Sequence, residues 1–171
     1  IASAAAQLVE ENDSIIIGSG TTTQYFAGAI HPEGQLTVIT SALNVTQELL
    51  KHTNVDIIQL GGSVRRSSTS ITGRYAEDLL ADFYCSKLFL GVDGIDMSFG
   101  LTTTNAQEAI LNRKMAMSAQ KVVVLADSSK FERKSLGKTM DCNKVDIIVT
   151  NGMPQNCQRF FESLGIEVII C

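Results

Sequence analysis

The sequence predicts an α/β protein: an open, mostly parallel sheet with helices on both faces, three layers in all. Two observations carry this. Short β-branched apolar runs recur at 15–18, 36–40, 55–60, 87–92, 122–126, 145–150 and 167–170. Runs that are apolar on both faces suit parallel strands covered from each side. Between them lie segments with helical stripes, and the repeated strand-then-helix order implies crossover connections within one sheet. At 171 residues the chain suits a single domain, 1–171. Folding at that size buries roughly 70% of the extended chain's surface, so a core forms without staples.

The elements follow in order. Ile1, Ala4, Ala5, Leu8 and Val9 stand at helical spacing ahead of the first strand. Tyr25, Phe26, Ala29 and Ile30 mark a shorter helix before the second strand, and Ala42, Val45 and Leu49 mark another before the third. Segment 61–73 (GGSVRRSSTSITG) is polar and flanked by glycine, which predicts a mobile loop. Ala76, Leu79, Leu80 and Phe83 form the next apolar stripe. After the fourth strand, Asn105 and Glu108 have the spacing of a capping box, and Met115 and Met117 are expected to pack in the helix it opens. Cys157, Phe160, Phe161 and Leu164 give the last helix its core face. There is no internal repeat, low-complexity tract or linker.

Composition narrows the function. Net charge is −4, which repels a polyphosphate backbone and argues against a DNA-binding module in this segment by itself. No apolar run approaches the ~20 residues of a membrane span. The four cysteines include no CxxC pair and there are two histidines, so neither a metal site nor any other cofactor is expected. Scattered thiols read as reduced, in a cytoplasmic protein. The chain opens on Ile1 rather than Met, and an upstream segment is expected.

Ligands of open parallel sheets bind beyond the carboxyl ends of the strands. After the first strand comes GSGTTT, 18–23. Gly20 lets a ligand approach the backbone, Ser19, Thr21, Thr22 and Thr23 supply hydroxyls, and the next helix presents free N–H groups and its positive dipole end to phosphate. An ordinary helix cap is the simpler alternative, but six such residues exceed what a cap needs. This turn is neither a GxGxxG, which would need glycine at Thr23, nor one closed by Gly-Lys-Ser/Thr. After the third strand, LGGSVR offers Arg65 or Arg66 to an anion. After the fourth, GVDGID and GLTTT place Asp93 and Asp96 where carboxylates could accept sugar hydroxyls. For Asp93 a turn is an equal alternative; for Asp96 structure is favoured, and Glu108 doubles as a cap partner. After the fifth, ADSSKF places Lys130 as a compact cation for phosphate or a general acid. His31, His52 and the cluster Glu132, Arg133 and Lys134 read as loop, helix-end and solvated surface.

Taken together, GSGTTT, LTVIT, LGGSVR, GVDGID, GLTTT and VLADSSKF resemble the C-terminal domain of the DeoR family of bacterial transcriptional repressors, from about residue 4 to 150, in family order. The resemblance implies a Rossmann-like fold of the ribose-5-phosphate isomerase, glucosamine-6-phosphate deaminase and CoA-transferase superfamily. It implies a phosphorylated sugar held by Ser19, Gly20, Thr21, Thr22 and Thr23, with Arg65, Asp93, Glu108 and Lys130 lining the pocket. It also implies an N-terminal winged helix-turn-helix through which operator DNA is bound, and a dimer or tetramer to match paired half-sites. One departure stands out: Gly18 occupies a position where the family usually has an acidic residue. A sugar-phosphate isomerase is the competing reading, with Asp93, Asp96 or Glu108 as base and Lys130 stabilising an enediolate. A CoA-transferase subunit fits less well, because no catalytic glutamate is evident.

Overall fold

The computed structural model describes residues 1–171. In chain order the elements are helix α1 (Ala2–Ala6), β1 (Ser14–Ile17), α2 (Thr21–Ala29), β2 (Leu36–Thr40), α3 (Leu43–Leu49), β3 (Val55–Gln59), β4 (Ser63–Arg65), β5 (Ser70–Thr72), α4 (Arg74–Leu80), β6 (Cys85–Gly91), β7 (Gly94–Asp96), β8 (Gly100–Thr103), α5 (Ala106–Met117), β9 (Ala119–Leu125), β10 (Gly137–Met140), β11 (Ile147–Thr150), α6 (Gln155–Ser163) and β12 (Glu167–Ile170). All seven expected strands join one sheet, in the order β12-β11-β9-β6-β1-β2-β3. Every pairing in it is parallel.

Alternation along the central strands divides the core. Ile15 and Ile17 of β1 and Phe89 of β6 join the cluster that covers α1, α2 and α3. Ile16, Leu88 and Leu90 join the opposite cluster, under α4, α5 and α6. Phe26 of α2 stacks on Phe89 at 4.3 Å between centroids and fixes that helix on β6. Both faces of the sheet are therefore sealed, as the apolar runs required.

The strand order reverses at β1: β2 and β3 extend to one side, β6 and its successors to the other. Helices reached from the two sides lie on opposite faces, which leaves a crevice between the carboxyl ends of β1 and β6. The amino ends of the same strands are tied by charge. Lys87 Nζ lies 2.7 Å from Asp13 Oδ2, with both side chains under 10% exposed. Asp13 also accepts bonds from the Ser86 hydroxyl and the Glu10 N–H. Burial works against its charge, but the Lys87 ammonium, the Glu10 N–H and the Ser86 hydroxyl outweigh it and hold the carboxyl below its ordinary 3.8.

Several expectations are corrected. Segment 61–73 is not a plain loop: β4 and β5 pair antiparallel within it, and β5 is docked by Leu43 N–H to Thr69 O and Ile71 N–H to Ser41 O. GVDGID and GLTTT are not only connections, because β7, β8 and β10 form a second, antiparallel sheet. Its backbones touch closely: a Cβ on Gly94 would lie 2.6 Å from the Arg133 carbonyl oxygen. Gly100 has φ 103°, and a Cβ there would meet Met140 O at 2.3 Å. These strands are short and rich in Ser, Thr and Gly, so no apolar run betrays them. Tyr25 and Met117 do not pack in the core, being 69% and 71% exposed. On α2 the buried face runs through Thr23, Phe26 and Ala27 instead.

Removing Asp13 strands a buried ammonium. Asp13→Ala is expected to cost about 3 kcal/mol in urea unfolding, while Glu10→Ala, whose carboxylate is exposed, costs under about 1 kcal/mol. Because the folded-state pKa of Asp13 is depressed, its contribution is complete above 3.8 and disappears as pH falls through the lowered value. The wild type is therefore expected to lose its advantage over Asp13→Ala only in acid below about pH 4.

Candidate functional site

The crevice between β1 and β6 opens into a polar cleft of about 690 Å³ lined by 20 residues. Ser19, Gly20, Thr21, Thr22, Arg65, Asp93, Glu108 and Lys130 all line it, so eight of the nine sequence-selected positions meet at one place. Thr23 does not. It is fully buried, its hydroxyl donates to the Gly20 carbonyl at 2.9 Å, and its methyl faces Gly91. The helical phase explains this: Thr23 shares a face with Phe26, Ala27 and Ile30. Asp96, favoured as structural, lies outside the cleft; it accepts bonds from the Ser98 and Phe99 N–H groups and faces Lys134 at 3.5 Å.

One wall is the start of α2. Gly20 occupies the N-cap with φ 138°, a conformation open to glycine, and no side chain caps the helix. The first-turn N–H groups thus have no side-chain partner, with about half an elementary positive charge from the helix dipole behind them. Immediately upstream, a side chain at Gly18 would meet the Leu90 methyl at 2.7 Å. That space, where an acidic residue was expected from the resemblance, is taken up by Leu90.

Across the cleft a 3₁₀ turn, Ser128–Lys130, follows β9. Asp127 caps it through the Ser129 N–H, and Lys130 Nζ stands 4.0 Å from the Asp127 carboxylate. The Ser129 side chain lowers the Asp127 pKa most; burial opposes it, and the Ser129 N–H and Lys130 add to the lowering. Asp93 follows β6 and accepts three bonds on Oδ2: Thr103 hydroxyl at 2.9 Å, Thr104 N–H at 2.8 Å and Thr104 hydroxyl at 3.1 Å. Burial pushes its pKa up, but these donors and Lys130 prevail and lower it. Asp93 thus holds the start of α5 in place and remains an anion at neutral pH.

Glu108 realises only half of the expected capping box. Asn105 accepts from the Glu108 N–H at 3.0 Å, but the Glu108 carboxylate turns away from Asn105. It receives the hydroxyls of Ser68 and Ser70 and lies 3.7 Å from Arg65 Nε. A buried carboxylate on α5 therefore clasps the β4–β5 hairpin, whose Arg65, Ser67, Ser68 and Thr69 face the cleft.

The wall carries Arg65 and Lys130 against Asp93, Glu108 and Asp127. Such a surface offers amides and a lysine to an anion and carboxylates to hydroxyls. Asp127, Thr103 and Thr104 were not singled out in the sequence although they lie inside the quoted motifs; their position at or just past strand ends was the available signal. Ser68 had none, since only the hairpin brings it to Glu108. The cysteines take no part: Cys85, Cys142 and Cys157 are buried, and burial together with Asp96 and Asp141 pushes the Cys142 thiol up to about 11. A cleft of about 670 Å³ adjoins this one through Thr22 and Gln24 without sharing a charged residue, and another of about 570 Å³ lies elsewhere.

The sequence profile of the DeoR C terminal sensor domain matches residues 1–152. The chain is 39% identical over 171 residues to an Escherichia coli O157:H7 protein assigned as transcriptional repressor of the aga operon, covering 99% of this chain and 64% of that protein. It is 30% identical over 170 residues to the HTH-type transcriptional regulator GlpR of Haloferax volcanii, covering 99% of this chain and 66% of the regulator. The chain thus spans about two thirds of the length of these relatives. Among solved structures, eIF2B beta from Chaetomium thermophilum superposes with TM-score 0.64 at 15% identity, over 95% of this chain and 52% of that one. Ribose 5-phosphate isomerase A from Methanocaldococcus jannaschii gives 0.52 at 18% identity, over 76% and 51%. These two likenesses speak to the fold. No helix is long and apolar enough to cross a membrane.

Cutting the Glu108 clasp should loosen the hairpin selectively. Glu108→Ala is expected to speed amide exchange across 63–72 while that of β1 and β6 stays slow, with about 2 kcal/mol of stability lost. Hydrogen–deuterium exchange with peptide resolution checks it.

Proposed function

The chain belongs to the DeoR C-terminal sensor domain family, and from that premise we propose that its cleft binds a phosphorylated sugar that controls operator binding by the DNA-binding part of the whole regulator. The observation that carries this reading is the meeting, at one crevice, of an uncapped helix N-terminus, Lys130 and three carboxylates. Phosphate takes the α2 amides, the hydroxyls of Ser19, Thr21 and Thr22, and the Lys130 ammonium. The sugar hydroxyls donate to Asp93, Glu108 and Asp127.

A sensor needs two states that differ in ligand affinity. The β4–β5 hairpin is the element suited to supply them. It reaches the cleft through Arg65 and is held to α5 by Glu108. A ligand anion that draws Arg65 away from Glu108 alters how the hairpin is held and what it shows to a neighbouring domain or subunit. A tenfold change in operator affinity needs about 1.4 kcal/mol of coupling. Paired operator half-sites would call for a homo-oligomer, dimer or tetramer. The relatives are transcriptional regulators rather than enzymes, so the isomerase reading is not retained.

A thermal-shift screen over sugar phosphates tests this. At about 100 times Kd, stabilisation reaches roughly 2.7 kcal/mol, a rise of about 5–11 °C for a domain of this size. Lys130→Ala should remove most of the shift given by the best ligand. An undiminished shift would take Lys130 out of the site, and no shift with any sugar phosphate would overturn the reading.

A further inference from the structure

The wall of the cleft holds one buried polar side chain that the protein does not itself use. Asn112 lies on α5, one turn beyond Glu108, is 6% exposed and lines the cleft. Glu108 and Thr103, equally buried in the same wall, spend their polar atoms on protein partners. The Asn112 carboxamide makes no hydrogen bond to the protein, yet its nitrogen and oxygen are not sealed off: the hydroxyl of Thr139 is the one side-chain polar atom both fully enclosed and unpartnered. The amide therefore keeps contact with the cleft. Leaving a carboxamide buried without partners costs stability, and such groups are uncommon except where something else supplies the bonds.

The chemistry of the partner follows. A carboxamide presents one acceptor and two donors and carries no charge. It cannot neutralise a phosphate, but it complements a group that both gives and takes a hydrogen bond, as a hydroxyl does. The rise between Glu108 and Asn112 is about 6 Å along the helix axis, so the two side chains address successive parts of one ligand. We propose that Asn112 determines specificity, by bonding a hydroxyl at the end of the ligand remote from the phosphate. It selects a polyhydroxylated phosphate long enough to reach past Glu108, against glycerol 3-phosphate or inorganic phosphate. This rests on the reading of the cleft as a sugar-phosphate site.

The experiment compares the chain with Asn112→Leu, which keeps the volume and deletes the polar atoms. Calorimetric titration uses glycerol 3-phosphate and a series of pentose and hexose phosphates; amide-shift titration uses inorganic phosphate. Asn112→Leu is expected to weaken the best sugar phosphate by about tenfold or more, the ratio seen when a polar contact to a ligand is lost. Affinity for inorganic phosphate and ligand-free melting temperature should not fall, because the amide has no internal partner to lose. Asn112→Ser, which puts a hydrogen-bonding hydroxyl in place of the carboxamide, should retain part of the affinity and covers the case of a poorly folded leucine variant. Unchanged sugar-phosphate affinity in Asn112→Leu overturns the inference and leaves the sugar-phosphate reading intact. An equal loss for inorganic phosphate also overturns it, since the residue then acts only on the shape of the site. If the unsubstituted chain binds no sugar phosphate, the underlying reading fails and this inference falls with it.

Discussion

The reversal of strand order at β1 is the constraint on which the rest depends. With β2 and β3 on one side and β6, β9, β11 and β12 on the other, α2 leaves the top of β1 toward one face while the connections from β6 rise on the other side. The gap between them cannot be filled by either set of helices. Ser19–Thr22 and Asp93 reach the same cleft because they follow the two strands that flank this gap. Lys130 joins from β9, the next strand along. Site geometry is here a by-product of topology.

Electrostatics then decides what the gap can hold. Lys130 stands by Asp127 and Arg65 by Glu108, so neither cation confronts the cleft as a bare charge. Attraction for an anion is shared between Lys130 and the α2 amides, which are fixed by the backbone and lack any capping side chain. The carboxylates meanwhile discourage a ligand that is anionic throughout. A molecule with one charged end and a neutral hydroxylated body answers both demands.

Much of this was legible in residue order, for identifiable reasons. The long strands announced themselves because burial on both faces demands unbroken apolar runs such as 15–17 and 122–125. Their amino ends were less visible: β6 begins at Cys85-Ser86 and β9 at Ala119-Gln120, ahead of the apolar run in each strand. Short strands such as Ser63–Arg65 and Gly94–Asp96 pair with their immediate successors β5 and β8, but carry no apolar run that would mark them. Gly94 and Gly100 were visible, but not the backbones that crowd them. At the site, residue types past strand ends sufficed to find the cleft, whereas side-chain direction did not follow from type alone. Thr22 and Thr23 are adjacent threonines with opposite fates, and helical phase alone separates them.

The buried Lys87–Asp13 pair joins the strands at their amino ends, across the molecule from the cleft. The charge tie of the strands and the proposed ligand site thus lie at opposite rims of one scaffold. Substitutions at Ser19, Thr21 or Thr22, whose side chains bond nothing in the protein, can change what the cleft admits while the clasps made by Asp93 and Glu108 stay in place.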